Sequence, residues 1–97
     1  MARFRVRLTA RAEEDHLDIW FAIAQDGPAN ADRFLDSLNE RIDSLADFPE
    51  RGVMRPEIGK GIRILIEGNY LILYGLRSAG VVVVRVVHGA RKLQNLL

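Results

Sequence analysis

Polarity alternates residue by residue at the start of the chain. In Arg3-Phe4-Arg5-Val6-Arg7-Leu8 three apolar side chains point one way and three arginines the other, as in a strand with one buried face. The period then lengthens. Ala12, Ile19, Trp20 and Ile23 recur at three- and four-residue spacing, joined by Leu17, Phe21 and Ala24, with His16 on the same stripe. This predicts an amphipathic helix. Thr9 suits its N-cap, and Glu13, Glu14 and Asp15 suit the early turns, where the helix dipole favours acids. Asp26-Gly27-Pro28 ends this helix and opens a second. There Ala31, Phe34, Leu35, Leu38, Ile42, Leu45 and Phe48 give the cleanest helical period of the chain, opposite Asp32, Arg33, Asp36, Glu40, Asp43 and Asp47. So short a link predicts an antiparallel helical hairpin. Pro49 stops the second helix, and Glu50 to Gly61 reads as a loop punctuated by Gly52, Pro56, Gly59 and Gly61.

The last third reads as three strands: Ile62 to Glu67, Tyr70 to Arg77 and Val81 to His88, with Gly68-Asn69 and Ser78-Ala79-Gly80 as the turns. The predicted order is β-α-α-β-β-β. This is a two-layer α+β domain spanning residues 1–97, with the helical hairpin on one face of a mainly antiparallel sheet. The strands are apolar on both faces: Tyr70, Ile72, Tyr74 and Leu76 alternate with Leu71 and Leu73, and Val81 and Val83 with Val82 and Val84. A hairpin covers one face only. Burying a large aliphatic side chain is worth roughly 1.5–3 kcal/mol. Four or five such residues left in water would forgo an amount comparable with the net stability of a domain, about 5–15 kcal/mol. The expectation is a groove with an apolar floor and an arginine rim from Arg3, Arg5 and Arg7. Its partner would be a helix or added strand with apolar anchors and acidic flanks. Self-association through the same surface competes with that reading.

Composition narrows the chemistry. There is no cysteine, so disulfides and thiolate metal sites are excluded, and the net charge of +1 means that a nucleic-acid role would need a local basic patch. No apolar run approaches the ~20 residues that span a bilayer, and the arginines at the N-terminus precede no secretory apolar stretch. A cytoplasmic protein without cofactor or metal is expected. With two histidines and few hydroxyls no nucleophilic triad assembles. Gly59-Lys60-Gly61 is followed by a strand rather than a helix, so it is not a phosphate loop. The remaining candidates are basic: Arg63 in the second strand, Arg85 within the valine run, and His88, Arg91 and Lys92 at its exit. Arg85 among valines is either buried with a partner or placed in the groove, because an unpaired charge there is costly.

Leu8-Thr9-Ala10-Arg11-Ala12-Glu13, Ile19-Trp20, Phe34-Leu35, Phe48-Pro49-Glu50-Arg51-Gly52, Arg55-Pro56-Glu57-Ile58, Gly61-Ile62-Arg63, Tyr70 to Tyr74 and Arg85-Val86-Val87-His88-Gly89-Ala90-Arg91 together resemble the ParE/RelE superfamily of bacterial type II toxins over nearly the full chain. The resemblance implies a toxin held inactive by a cognate antitoxin, whose C-terminal segment wraps it. RelE-like members cleave mRNA on the ribosome with a cluster of lysines and arginines and often a C-terminal tyrosine; ParE-like members poison DNA gyrase and carry no comparable catalytic set. Arg63 and Arg85 match two basic positions of the ribonuclease type, with His88 as a further candidate. Against that, the second helix ends in acids, the tail from Gly89 has no tyrosine, and the Arg-Pro-Glu-Ile and His-Gly-Ala-Arg pieces look more like the ParE branch. That branch is favoured; the alternatives are a RelE-like ribonuclease with the ribosome as its target, or a degenerate, non-toxic binding protein of the same fold. Arg3, Arg5, Arg7, Arg63, Arg85, Arg91 and Lys92 are the expected partner-binding residues.

Overall fold

The computed structural model describes residues 3–78, 80–91 and 93. Strand β1 (Arg5–Leu8) leads into helix α1 (Ala10–Ala24); α2 (Pro28–Asp43) follows, extended by a 3-10 turn over Ser44–Ala46. Then come β2 (Val53–Met54), β3 (Ile62–Glu67), β4 (Tyr70–Arg77) and β5 (Gly80–His88). The five strands lie in the order β1-β5-β4-β3-β2, with β1 parallel to β5 and the other pairs antiparallel. The expected two-layer α+β architecture is present.

Local chemistry accounts for the element ends. Thr9 Oγ1 accepts the Ala12 N–H at 3.1 Å and so caps α1. Pro28 sits in the first turn of α2, where its missing N–H costs nothing. Gly68, at φ +58°, makes the tight β3–β4 turn. Strand β2 lies inside the segment read as a loop. It is only two residues long, too short for a period to register.

The core between hairpin and sheet holds Ala12 and Ile19 of α1, Leu38 and Ile42 of α2, Leu45, and Leu65, Ile72, Tyr74, Val81, Val83 and Val86 of the strands. Three expectations of buried apolar residues change. Leu17 and Phe21 are 62% and 61% exposed, and Phe48 is 63% exposed. The α1 stripe is narrower than its sequence indicated, and Phe48 lies beyond the 3-10 turn, where the helix has ended.

The second face of the sheet is not left bare. Ile62, Ile64, Leu73 and Val87 form a second buried cluster, packed by Ile58 from the β2–β3 loop and Leu93 from the tail. The expectation that four or five apolar residues there stay in water is therefore corrected: the chain covers most of them itself. Ile66, at 57% exposure, stays outside this cover. Among the described residues no helix is long and apolar enough to cross a membrane.

Candidate functional site

Residues opposite one another in a sheet point to the same side, so the registers fix what shares the second face. One row runs Arg5–Gly80–Arg77, and the next runs Arg7–Val82–Gly75–Ile62. Neither glycine has a side chain, so the arginines border a notch. Arg77 leans into it: its Nη1 lies 3.6 Å from where a Cβ on Gly75 would sit. Arg3, Arg5, Arg7 and Arg77 line one cleft of about 510 Å³, together with Val82 and the strand segments at Val6 and Val81. Arg3 meets Asp47 at 3.1 Å, an exposed pair worth little. Arg5, Arg7 and Arg77 have no carboxylate partner among the described residues. Arg77 was not among the sequence candidates. Its place across Gly80 from Arg5 depends on the parallel pairing of β1 with β5, which periodicity does not reveal.

The other basic candidates are dispersed and engaged. Arg63 Nη1 donates to the carbonyls of Glu50 and Gly52 at 3.1 and 2.8 Å, tying down the loop that leads to β2. Beside it the buried Tyr74 hydroxyl accepts the Gly52 N–H at 2.9 Å and donates to the Pro49 carbonyl at 2.8 Å. Burial pushes the Tyr74 phenol above its usual pKa, partly offset by that Gly52 hydrogen bond and by the nearby Arg63 and Arg51.

Arg85 is buried at 6% exposure and turns to α1. Its Nε and Nη2 donate to the two Asp15 carboxylate oxygens at 2.8 and 3.1 Å, and the Val86 N–H donates to Asp15 Oδ2 at 2.9 Å. Of the two alternatives for Arg85, the structure has the buried, paired one. The slip that puts Leu73 opposite Arg85 but Tyr74 opposite Val83 makes a bulge at this point of β5.

His88 is exposed. Its Nδ1 accepts the Ala90 N–H at 3.0 Å, and its ring packs edge-on against Tyr70, 5.2 Å between centroids. Tyr70, His88, Arg91 and Asp18 border a cleft of about 200 Å³ between α1 and the end of β5. Lys92 lies outside the described residues. His16 is half-buried, its Nδ1 donating to the Ala12 carbonyl at 3.1 Å. Among the described residues no three His, Asp or Glu side chains come together to hold a metal.

Charge is segregated between the layers. Residues 10–47 hold ten carboxylates and three arginines, a net −7. The rest of the chain holds three carboxylates and eleven basic residues, a net +8. The overall +1 thus conceals an acidic helical segment and a basic remainder of the chain.

A family model described as the ParE toxin of the type II toxin–antitoxin system parDE matches residues 6–93. Among solved structures, the chain is similar to one described as the chromosomal ParDE toxin–antitoxin system from P. aeruginosa. The identity is 18% and the TM-score 0.77, with 89% of this chain and 96% of that one covered. It is also similar to one described as the toxin–antitoxin complex RelBE2 from Mycobacterium tuberculosis, at 24% identity and TM-score 0.65, covering 89% and 98%. At these identities the likeness is one of fold. No curated protein matches the sequence.

Proposed function

The chain belongs to the ParE toxin family of type II toxin–antitoxin systems, and from that premise we propose that it inhibits DNA gyrase by binding and is silenced by a cognate antitoxin laid against the second face of the sheet. One observation carries the choice of a binding role over catalysis. The three residues a ribonuclease reading would use do not meet: Arg63 is spent on the Glu50 and Gly52 carbonyls, Arg85 on Asp15, and His88 stands at the exit of β5 beside Tyr70. A phosphoryl-transfer site needs its cations aimed together at the developing charge. The antitoxin reading is supported by the notch at Gly75 and Gly80, where Arg5, Arg7 and Arg77 have no acidic partner among the described residues and would receive carboxylates. A RelE-like action on mRNA at the ribosome is the second reading. It draws on the fold shared with the RelBE2 complex and on the cleft that brings Tyr70, His88 and Arg91 together.

The test is to add the purified chain to purified gyrase with relaxed plasmid, and separately to translating ribosomes. The expected result is blocked supercoiling with intact transcripts. Cleaved transcripts with unaffected gyrase would overturn the proposal.

A further inference from the structure

The face of α1 that points to solvent carries two large apolar side chains, Leu17 and Phe21, one helical turn apart and each more than 60% exposed. Glu13, Glu14 and Asp18 surround them, all exposed, and the outer side of α2 adds exposed Asp32, Asp36, Glu40 and Asp43. The arginines of the hairpin are already engaged. Arg11 meets Glu14 and Asp15, Arg33 donates to Asn30, and Arg41 meets Glu67. The ring of Phe21 is held edge-on by Trp20, whose Nε1–H is fixed on Asp32 at 2.8 Å. Two apolar anchors are thus presented on a rigid helix inside an acidic field of net −7, on the layer opposite the arginine notch. A charged rim around apolar anchors selects a partner of the opposite sign.

We propose that this α1 face is the surface by which the protein docks on its target, and that it seats on a Lys/Arg-rich patch with apolar pockets of the kind a DNA-handling enzyme presents to its DNA. An enzyme that holds duplex DNA must display such a basic surface, because phosphate neutralisation dominates that affinity. An acidic helical face fits it, and the arginine face does not. The inference rests on the gyrase reading for the identity of the target but not for the location of the surface. It leaves the opposite layer for the antitoxin, so the two partners read opposite charges on one small domain.

The experiment compares the wild type with Leu17→Ala/Phe21→Ala and with Asp18→Lys. Growth arrest on induction, gyrase supercoiling and rescue by the co-expressed antitoxin are measured, with melting temperatures as the folding control. Alanine keeps the helix, and all three positions are exposed, so unchanged melting is expected. The expected result is at least a tenfold loss of gyrase inhibition and of growth arrest in both variants, with antitoxin binding intact. Variants as potent as the wild type overturn the proposal. So do variants that still arrest growth but escape rescue, since the face would then belong to the antitoxin. If the wild type arrests growth without affecting gyrase, the gyrase reading falls; the surface then stands if the variants lose arrest and falls if they keep it. A wild type that does not arrest growth overturns both.

Discussion

Asp15 and Arg85, seventy residues apart, form a two-pronged ion pair buried between α1 and β5, each about 95% shielded from solvent. The pair closes an edge. Strand β1 covers β5 only as far as Val83, and beyond it α1 takes over. The Thr9 N–H and Oγ1 donate to the Val83 and Val84 carbonyls, and Asp15 accepts the Val86 N–H. Replacing Asp15 by alanine removes the carboxylate that accepts from the buried Arg85 guanidinium and from the Val86 N–H, and should cost about 3–5 kcal/mol. Arg85→Ala should likewise lower the melting temperature. The double change Asp15→Leu/Arg85→Met should recover much of the loss. Chemical denaturation of the three variants checks this; a single variant as stable as the wild type would show that the pair contributes nothing.

Tyr74 holds the β2 loop through two hydrogen bonds made by one hydroxyl. Tyr74→Phe leaves the Gly52 N–H and the Pro49 carbonyl without it, at a cost of about 1–3 kcal/mol, and should speed amide exchange at Gly52. Gly52→Ala should be worse, because its Cβ would stand 2.7 Å from the Tyr74 ring and 2.9 Å from the Ile64 carbonyl.

The same burial sets a pH dependence. The phenol titrates above its usual value in the folded chain, so above the unfolded pKa of about 10 the unfolded state holds fewer protons than the native state. The stability linked to Tyr74 is fully present below pH ~10 and falls as pH rises through the folded value. Comparing wild type and Tyr74→Phe between pH 8 and 11 isolates it. The wild type should lose its advantage in alkali, and parallel curves would refute the linkage.

The local features were legible in the sequence because each is set within a short stretch of chain. The Thr9 cap, the Gly27-Pro28 link, the Gly68-Asn69 turn and the alternation of β3 to β5 all depend on neighbours a few residues away. What escaped depends on pairing across the chain. The parallel placement of β1 against β5 brings Arg77 beside Arg5, and the bulge at Leu73/Tyr74 accompanies the turn of Arg85 to Asp15 rather than to the groove. The cover of the second face was missed for the same reason. Ile58 sits in a glycine-rich loop and Leu93 in a tail, where no period marks a residue as buried.

The arginine notch gives the last prediction. Arg5, Arg7 and Arg77 are exposed, spend no charge on a described carboxylate, and frame positions where glycine leaves room. Their removal should therefore leave the fold alone. Arg5→Glu/Arg77→Glu is expected to keep its melting temperature and to weaken antitoxin binding tenfold or more, about 1.4 kcal/mol or above. Wild-type affinity should fall as salt rises, since exposed charges are screened within about 10 Å at 0.1 M, and the double variant should respond less steeply. Arg63→Ala serves as the contrast. Its guanidinium holds the Glu50 and Gly52 carbonyls, so it should lower stability while leaving the salt slope of antitoxin binding unchanged. Titration calorimetry at two salt concentrations reads both effects. If the Arg63 variant flattens the salt slope and the notch variant does not, the antitoxin lies on the β2 side of the sheet instead.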